Sequence, residues 1–183
     1  MTPLREPGQV RTYRNGIREH VVASQAQMNN EPSSTAVRDP FDLRRFLEAQ
    51  EGEYSQALSE LKRGRKESHW IWFIFPQIDG LGHSSTSKHY AIKSMAEARE
   101  YLKHPVLGRR LKECCEAVLA LGEKDIAKVL GYPDDLKFRS SMTLFAEVAG
   151  QASVFAKLLQ KYFAGRPDDR TLEILQRLSL PPA

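Results

Sequence analysis

Apolar residues three and four positions apart dominate the chain from Asp39 onwards, and this spacing is typical of amphipathic helices. Proline precedes and glycine follows several of these stretches, since proline favours a helix start and glycine favours a helix end. The clearest example runs from Pro105 to Gly122. Its apolar stripe consists of Leu107, Leu111, Cys114, Val118 and Leu121. The pattern therefore predicts a mainly α-helical protein.

Further segments are predicted to be helical by the same spacing and by capping signals. Ser94, with Glu97 three residues later, forms a capping box at the start of one of them. The predicted helices are Asp39–Pro40 to about Lys62, weakened by Gly52; Ser94 to Lys103; Asp125 to Leu130; Asp134, as N-cap, to Gly150; Ala152 to Phe163; and Asp168 to Leu178. Together with the stretch from Pro105, they predict a compact single-domain bundle of about seven helices.

The aromatic run between Trp70 and Phe75 fits either a buried strand or a buried helix, because periodicity cannot separate the two over so short a stretch. Pro76 ends either element, and the helical neighbours favour a helix. The aromatic rings could stack on a base, or they could belong to the core, as aromatic-rich segments commonly do. Phe75 and the following Gln77 are the candidate ligand contacts in this region.

Residues 1–38 differ in composition from the rest of the chain. They mix Pro, Gly, Asn, Gln and Ser with few large apolar residues, and such a stretch cannot bury enough surface to offset its ordering entropy. We therefore predict a weakly ordered arm over residues 1–38, a single helical domain over residues 39–178 and a short tail over residues 179–183.

Composition argues against several classes of protein. There is no run of about 18 apolar residues that would predict a membrane span, and the first residues lack the apolar core of a signal peptide. A cytoplasmic protein is therefore predicted. The net charge of +4 is spread evenly along the chain, which does not favour a nucleic-acid partner. The adjacent Cys114 and Cys115 lack the spacing of a zinc site, so neither a metal nor a cofactor is expected.

A polar loop between Gly80 and Tyr90 forms the first candidate site. Its glycines allow a ligand to approach the backbone closely, and hydroxyls at a helix start favour phosphate. The spacing differs from that of the dinucleotide-binding and P-loop motifs, and a flexible polar connector would have the same composition. The candidate ligand-binding residues in the loop are Gly80, Gly82, Ser84, Ser87, Lys88, His89 and Tyr90.

A second candidate site lies on the predicted helix that starts at Asp134. At about 100° per residue, Ser141 falls within the apolar face that contains Phe138, and Lys137 falls at the edge of that face. Ser141 either donates to the carbonyl of Lys137 one turn earlier or forms a pocket floor that contacts a ligand. Lys137 either extends along the edge of the apolar face, or binds phosphate, or acts as a nucleophilic amine.

Four strings of sequence carry a resemblance to a known family. They are HWIWFIFPQIDGLGHSSTSKHYAI, AREYLKHPVLGRRL, GYPDDLKFRSSMTLF and KYFAGRPDDRTLEIL. Together they resemble the bacterial domain-of-unknown-function family eighteen-ten, whose members are often labelled calpastatin. The resemblance covers about Asp39 to Leu175 and does not include the arm. The family is grouped with the YbiA-like superfamily, also called NADAR.

The resemblance implies a compact, mainly helical fold and a reaction at an N-glycosidic bond. Better-known YbiA-like relatives cleave N-glycosidic bonds of ribosylated compounds, and their signature contains a Ser-Glu-His string that opens a helix. Here Ser87-Lys88-His89 resembles that string, with Lys88 in the acidic position. A glycosidase usually needs a carboxylate at the anomeric centre, so the resemblance implies Asp135 or Lys137 as the catalytic substitute.

Two hypotheses follow from these observations. In the first, the protein is an N-glycosidase that acts on a phosphoribosyl or ADP-ribosyl compound, with Lys137 or Asp135 at the anomeric carbon. In the second, the protein is a non-catalytic module that binds such a ligand or a protein partner. A pocket that unites Lys137, Ser141 and the loop would favour a small ligand over a protein partner. The sequence leaves the oligomeric state open.

We predict that deleting residues 1–37 leaves the melting temperature of the domain nearly unchanged, because the arm has no apolar stripe with which to dock. Differential scanning calorimetry of the full and truncated chains measures this. A decrease of more than about 5 °C, which corresponds to more than about 1 kcal/mol for a domain of this size, would contradict the prediction.

Overall fold

Ten α-helices follow one another through residues 39–179, which are the residues that this computed structural model describes. The predicted arm over residues 1–38 and residues 180–183 of the predicted tail lie outside them. Between residues 39 and 179 the β-structure is limited to one isolated parallel bridge, between Ile78 and Ile92. The helices are α1 (Arg44–Gln50), α2 (Tyr54–Arg63), α3 (Ile71–Ile74), α4 (Ser85–His89), α5 (Met95–Lys103), α6 (Leu107–Ala120), α7 (Ile126–Leu130), α8 (Asp134–Ala149), α9 (Val154–Phe163) and α10 (Asp169–Ser179).

The predicted mainly helical class is confirmed, with ten helices in the described residues where about seven were predicted. The first predicted helix is in fact two, because the chain turns at residues 51–53 between α1 and α2. Its predicted start at Pro40 is wrong: the carboxylate of Asp39 accepts hydrogen bonds from the backbone N–H groups of Leu43 and Arg44, so the helix begins one turn later. The short helices α3 and α4 account for the rest of the difference.

Helix α8 is the centre of the fold. It packs against α3, α5, α7, α9 and α10, and its residues from Ser140 to Ala146 are all buried. A helix that is buried on every side needs neighbours on every side, and aromatic rings supply much of this contact. Phe138 lies edge-on to Phe75, with ring centroids 4.9 Å apart, and Phe145 lies between Tyr101 and Phe155.

The aromatic run contains only one helical turn, α3, and the segment that leads into it is organised by the buried carboxylate of Glu60. This side chain is fully buried and accepts five hydrogen bonds. Its donors include the indole Nε1 of Trp70 at 2.8 Å and the hydroxyl of Ser68 at 2.6 Å. Burial alone would raise the pKa of Glu60, but the hydrogen bonds outweigh burial and lower this pKa to about 2.

A buried ion pair fixes α1 against the chain that follows α4. Arg45 pairs with Glu97 at 2.5 Å, and both side chains are less than a tenth exposed. The same guanidinium donates to the backbone carbonyls of His89 and Ala91. Glu97 also accepts the backbone N–H of Lys93, and its own N–H donates to Ser94, as the capping box predicted. The polar loop is therefore held firmly at its C-terminal end.

No helix between residues 39 and 179 combines the length and the apolar character that a membrane crossing requires.

We predict that Glu60→Gln lowers the free energy of unfolding by about 3 kcal/mol, because several buried donors lose a charged acceptor. Urea denaturation at pH 7 measures this. Since the pKa of Glu60 falls from 4.5 in the unfolded chain to about 2 in the fold, its contribution is complete above about pH 4.5 and is lost as the pH falls towards 2. The variant should therefore lose less stability than the wild type over this range.

Glu67→Gln serves as the matched control, because the side chain of Glu67 is 54% exposed and pairs with arginines at the surface. This control should stay within about 0.5 kcal/mol of the wild type. Equal stability of the two variants would contradict the structural role of Glu60.

Candidate functional site

A cavity of about 470 Å³ lies where the polar loop meets the starts of α8 and α10. Its volume is in the range of small-molecule sites. The loop side of the cavity is lined by Leu81, Gly82, His83, Ser84 and Ser87. Helix α3 and the residues after it contribute Trp72 and Gln77, and the helix starts contribute Pro133, Leu136, Lys137, Ser140, Asp168 and Arg170.

The loop is closed at its base by backbone hydrogen bonds. The N–H of Ile92 donates to the carbonyl of Gln77 at 2.8 Å, and the N–H of Asp79 donates to the carbonyl of Ile92 at 2.8 Å. An ion pair between Lys93 and Asp79 at 3.0 Å lies beside this bridge. The two ends of the loop are thus fixed, and five of the residues between them, 81–84 and Ser87, line the cavity.

The start of α4 gives the loop its local shape. Ser84 is the N-cap, and its hydroxyl accepts from the N–H of Ser87 at 3.1 Å, while the hydroxyl of Ser87 donates to the carbonyl of Ser84 at 2.8 Å. Gly82 lies so close to Ser87 that a Cβ at position 82 would stand 2.5 Å from the Ser87 side chain. A glycine is required here because of this close approach, and a larger residue would displace Ser87.

Three charged side chains form a cluster at the start of α8. Asp134 binds Lys137 at 2.6 Å and Lys66 at 2.7 Å, and all three side chains are at least three-quarters buried. Burial alone would raise the pKa of Asp134, but hydrogen bonds from the two lysines outweigh it and keep this pKa below its ordinary value. The ammonium of Lys137 also lies over the ring of Trp72, 4.6 Å from its centroid. The predicted N-cap role of Asp134 is wrong, because the N-cap position is Pro133 and the Asp134 side chain makes no cap hydrogen bond.

The start of α10 brings Asp168 and Arg170 to the same cavity. Asp168 caps the helix, since its Oδ2 accepts from the N–H of Thr171 at 2.9 Å and from its hydroxyl at 2.6 Å. The residues just before it are held by Arg139, whose guanidinium donates to the carbonyls of Arg166 and Pro167. Arg170 is exposed and makes no ion pair within residues 39–179.

The cavity is favourable to negative charge for two reasons. The N-termini of α8 and α10 both reach it, and the N-terminus of a helix carries partial positive charge and free N–H groups. Two lysines share the single carboxylate of Asp134, which leaves a net positive charge in a largely buried cluster. The carboxylate of Asp168, at the start of α10, offsets part of this positive charge.

The structure brings five of the predicted site residues to the cavity: Gln77, Gly82, Ser84, Ser87 and Lys137. Seven lie elsewhere. Phe75 is fully buried between Trp70 and Phe138, and Ser141 is fully buried with no hydrogen-bond partner for its Oγ within residues 39–179.

Asp135 lies roughly 150° around α8 from the side that lines the cavity, by the helical angle of 100° per residue. Its Oδ1 is buried and makes no hydrogen bond to the described residues. Gly80 does not line the cavity, and a Cβ at this position would lie 3.4 Å from the side chain of Ile174 on α10. The remaining three follow Ser87 around α4: Lys88 is exposed, whereas His89 and Tyr90 line a separate surface groove beside Arg45.

Sequence reasoning did not identify the residues that α8 and α10 add to the cavity. Ser140, one position before Ser141, is the serine that lines the cavity, and its hydroxyl donates to the carbonyl of Leu136 at 3.1 Å. Asp168 and Arg170 stand at the start of a predicted helix, where an acidic residue is expected as a cap. Only the contact between α8 and α10 brings them to the cavity that Lys137 also lines.

The fold and the cavity define a small helical protein with a ligand-sized cleft at the start of its longest described helix. The family model described as Protein of unknown function (DUF1810) matches residues 40–175. The chain therefore belongs to this family, as the resemblance predicted.

A solved structure supports the same assignment. The conserved hypothetical protein Rv1873 from Mycobacterium tuberculosis is 47% identical, with a TM-score of 0.74, and the match covers 75% of this chain and 99% of that chain. No curated protein matches the chain. The family description names no activity, so a function can be proposed only from the residues of the cleft.

We predict that Lys137→Met and Asp134→Asn affect stability very differently. Lys137→Met should lower the free energy of unfolding by less than about 1 kcal/mol, because Asp134 keeps Lys66 as a partner. Asp134→Asn should cost about 2 kcal/mol, because it leaves two partly buried lysines without a counter-charge. Urea denaturation at pH 7 separates the two cases, and a larger loss for Lys137→Met would show that Lys137 has a structural role instead.

Proposed function

We propose that the cleft binds a small phosphorylated ribosyl compound, of the phosphoribosyl or ADP-ribosyl type. The observation that carries this proposal is the position of Lys137. Its ammonium is held between a carboxylate and the Trp72 ring at the edge of a ligand-sized cavity. Such an arrangement offers a fixed positive charge next to an aromatic surface, and phosphorylated ribosyl compounds present a negative charge next to a sugar ring or, in ADP-ribose, a planar base.

The charges around the cavity support an anionic ligand. The cluster of Lys66, Asp134 and Lys137 carries one positive charge in excess, and a partly buried excess charge is stabilised by a counter-ion. Arg170 adds a second cation to the lining of the cavity. The N-termini of α8 and α10, which also line the cavity, add partial positive charge.

The cavity wall supports a ligand with a ring. Trp72 is partly exposed and lines the cavity, whereas Trp70, two residues earlier, is fully buried. A partly exposed indole ring provides a flat apolar surface for a base or for a sugar. The cavity volume of about 470 Å³ also favours a small ligand over a protein partner, since protein interfaces are larger and flatter.

Within this proposal, Lys137 acts as an anchor for negative charge. An amine that attacks an anomeric carbon must be uncharged and free, whereas Lys137 makes a close ion pair with Asp134. The resemblance to the YbiA-like superfamily supports the ribosyl class of ligand. Here Lys137 holds a phosphate, and Ser84 and Ser87 supply hydroxyls close to it.

Cleavage of the N-glycosidic bond is the second candidate function, and one observation favours it. Asp168 is a fixed carboxylate in the same cavity as Lys137, and glycosidic cleavage uses carboxylates to stabilise a positively charged sugar centre or to activate water. Release of free base or free sugar from ADP-ribose or NAD, followed by chromatography, tests for this activity.

We predict that isothermal titration calorimetry detects binding of ADP-ribose or ribose 5-phosphate to the wild-type protein. Lys137→Met should weaken this binding at least tenfold, because a charge-assisted hydrogen bond to phosphate is lost. Lys137→Arg should stay within about threefold of the wild type, because arginine preserves the charge.

The matched control is Lys112→Met, which removes an exposed lysine of α6 that does not line the cavity. It should bind like the wild type. If the wild type binds none of these compounds, the proposed function is wrong, and if Lys137→Met binds as tightly as the wild type, the anchoring role of Lys137 is wrong.

A further inference from the structure

A carboxylate lines the cavity for which we have proposed an anionic ligand. Asp168 lines the same cavity as Lys137 and Arg170. Its carboxylate would repel the negative group of an anionic ligand that came close to it. A ligand fits this cavity if it places a negative group near the cations and a hydrogen-bond donor near the carboxylate. Sugar phosphates have this combination, because their hydroxyls donate and their phosphate oxygens accept.

The carboxylate of Asp168 is held in one orientation. Its Oδ2 accepts from both the N–H and the hydroxyl of Thr171, a residue that is fully buried. The backbone N–H of Asp168 donates to the hydroxyl of Thr143 on α8 at 2.8 Å. Arg139 clamps the carbonyls of the two preceding residues. These contacts leave little freedom for the side chain to turn away from the cavity.

The second oxygen of this carboxylate remains free to act on a ligand. Within residues 39–179, Oδ1 of Asp168 accepts no hydrogen bond and Asp168 makes no ion pair. A rigid carboxylate beside an anion site can accept the hydroxyl of a bound sugar in a short, charge-assisted hydrogen bond.

We infer that Asp168 is a specificity residue that recognises a ribose hydroxyl, so that the cleft prefers ribose phosphates to 2-deoxyribose phosphates. This inference rests on the proposed function and names the sugar that the same site takes. A site built to bind a hydroxyl discriminates against the analogue that lacks it, because the acceptor is then left without a partner.

The test is a titration of the wild-type protein with ribose 5-phosphate and with 2-deoxyribose 5-phosphate. The wild type should bind the ribose compound about tenfold more tightly, which is the effect of one charge-assisted hydrogen bond. Asp168→Asn should reduce this preference to less than about threefold. Asparagine has one acceptor oxygen, and capping of α10 uses it, so the amide nitrogen takes the place of Oδ1.

Asp169→Asn is the matched control, because Asp169 is the exposed neighbour that does not line the cavity. It should keep the preference of the wild type. If Asp168→Asn fails to fold, Asp168→Ser retains a capping oxygen without the carboxylate and is expected to lose the preference as well.

The outcomes separate the inference from the proposed function. Equal affinity of the wild type for the two sugars overturns the inference and leaves the proposed function intact. A preference that survives in Asp168→Asn or Asp168→Ser also overturns it. Absence of binding to every ribosyl phosphate overturns both together.

Discussion

The buried carboxylate of Glu60 is the interaction on which the rest of the site depends. By accepting hydrogen bonds from Glu67, Ser68 and Trp70, it fixes a short irregular segment that belongs to no helix or strand until α3 begins. That segment begins at Lys66, whose N–H donates to the carbonyl of Val129 and whose ammonium binds Asp134. The start of α8 is therefore tied to Glu60 through Lys66, and Lys137 is tied in turn through Asp134.

Two arginines give the cavity its remaining rigidity. Arg45 holds the end of α4 and the chain after it by donating to carbonyls of residues 89 and 91. Arg139 holds the chain before α10 by donating to carbonyls of residues 166 and 167. Irregular backbone in a folded protein needs partners for its polar groups, and the planar guanidinium group satisfies several carbonyls at once. Both non-helical walls of the cavity are thus positioned before any ligand binds, which favours selective recognition.

Membership of the DUF1810 family connects this arrangement to other proteins without assigning it an activity. A relative of 47% identity shares the fold over nearly its whole length, so the helical framework around the cavity is a property of related chains as well. The proposed ligand class rests on the charge, the volume and the aromatic wall of the cavity. In that proposal, Asp168, which lines the same cavity as Lys137, is the group that would distinguish the sugar.

The sequence by itself determined the helical class and most of the longer helices, because a 3.6-residue period, a Ser94 cap and glycine stops act over a few neighbouring residues. It also identified Lys137, Ser84 and Ser87 as candidate site residues, because a lysine beside an apolar helix face and hydroxyls after glycines are visible in the local sequence. It could not place Phe75 in the core, choose Ser140 over Ser141, or bring Asp168 to the cavity. Those outcomes depend on how α8 turns between α3 and α10, and only the tertiary packing of distant segments decides that rotation.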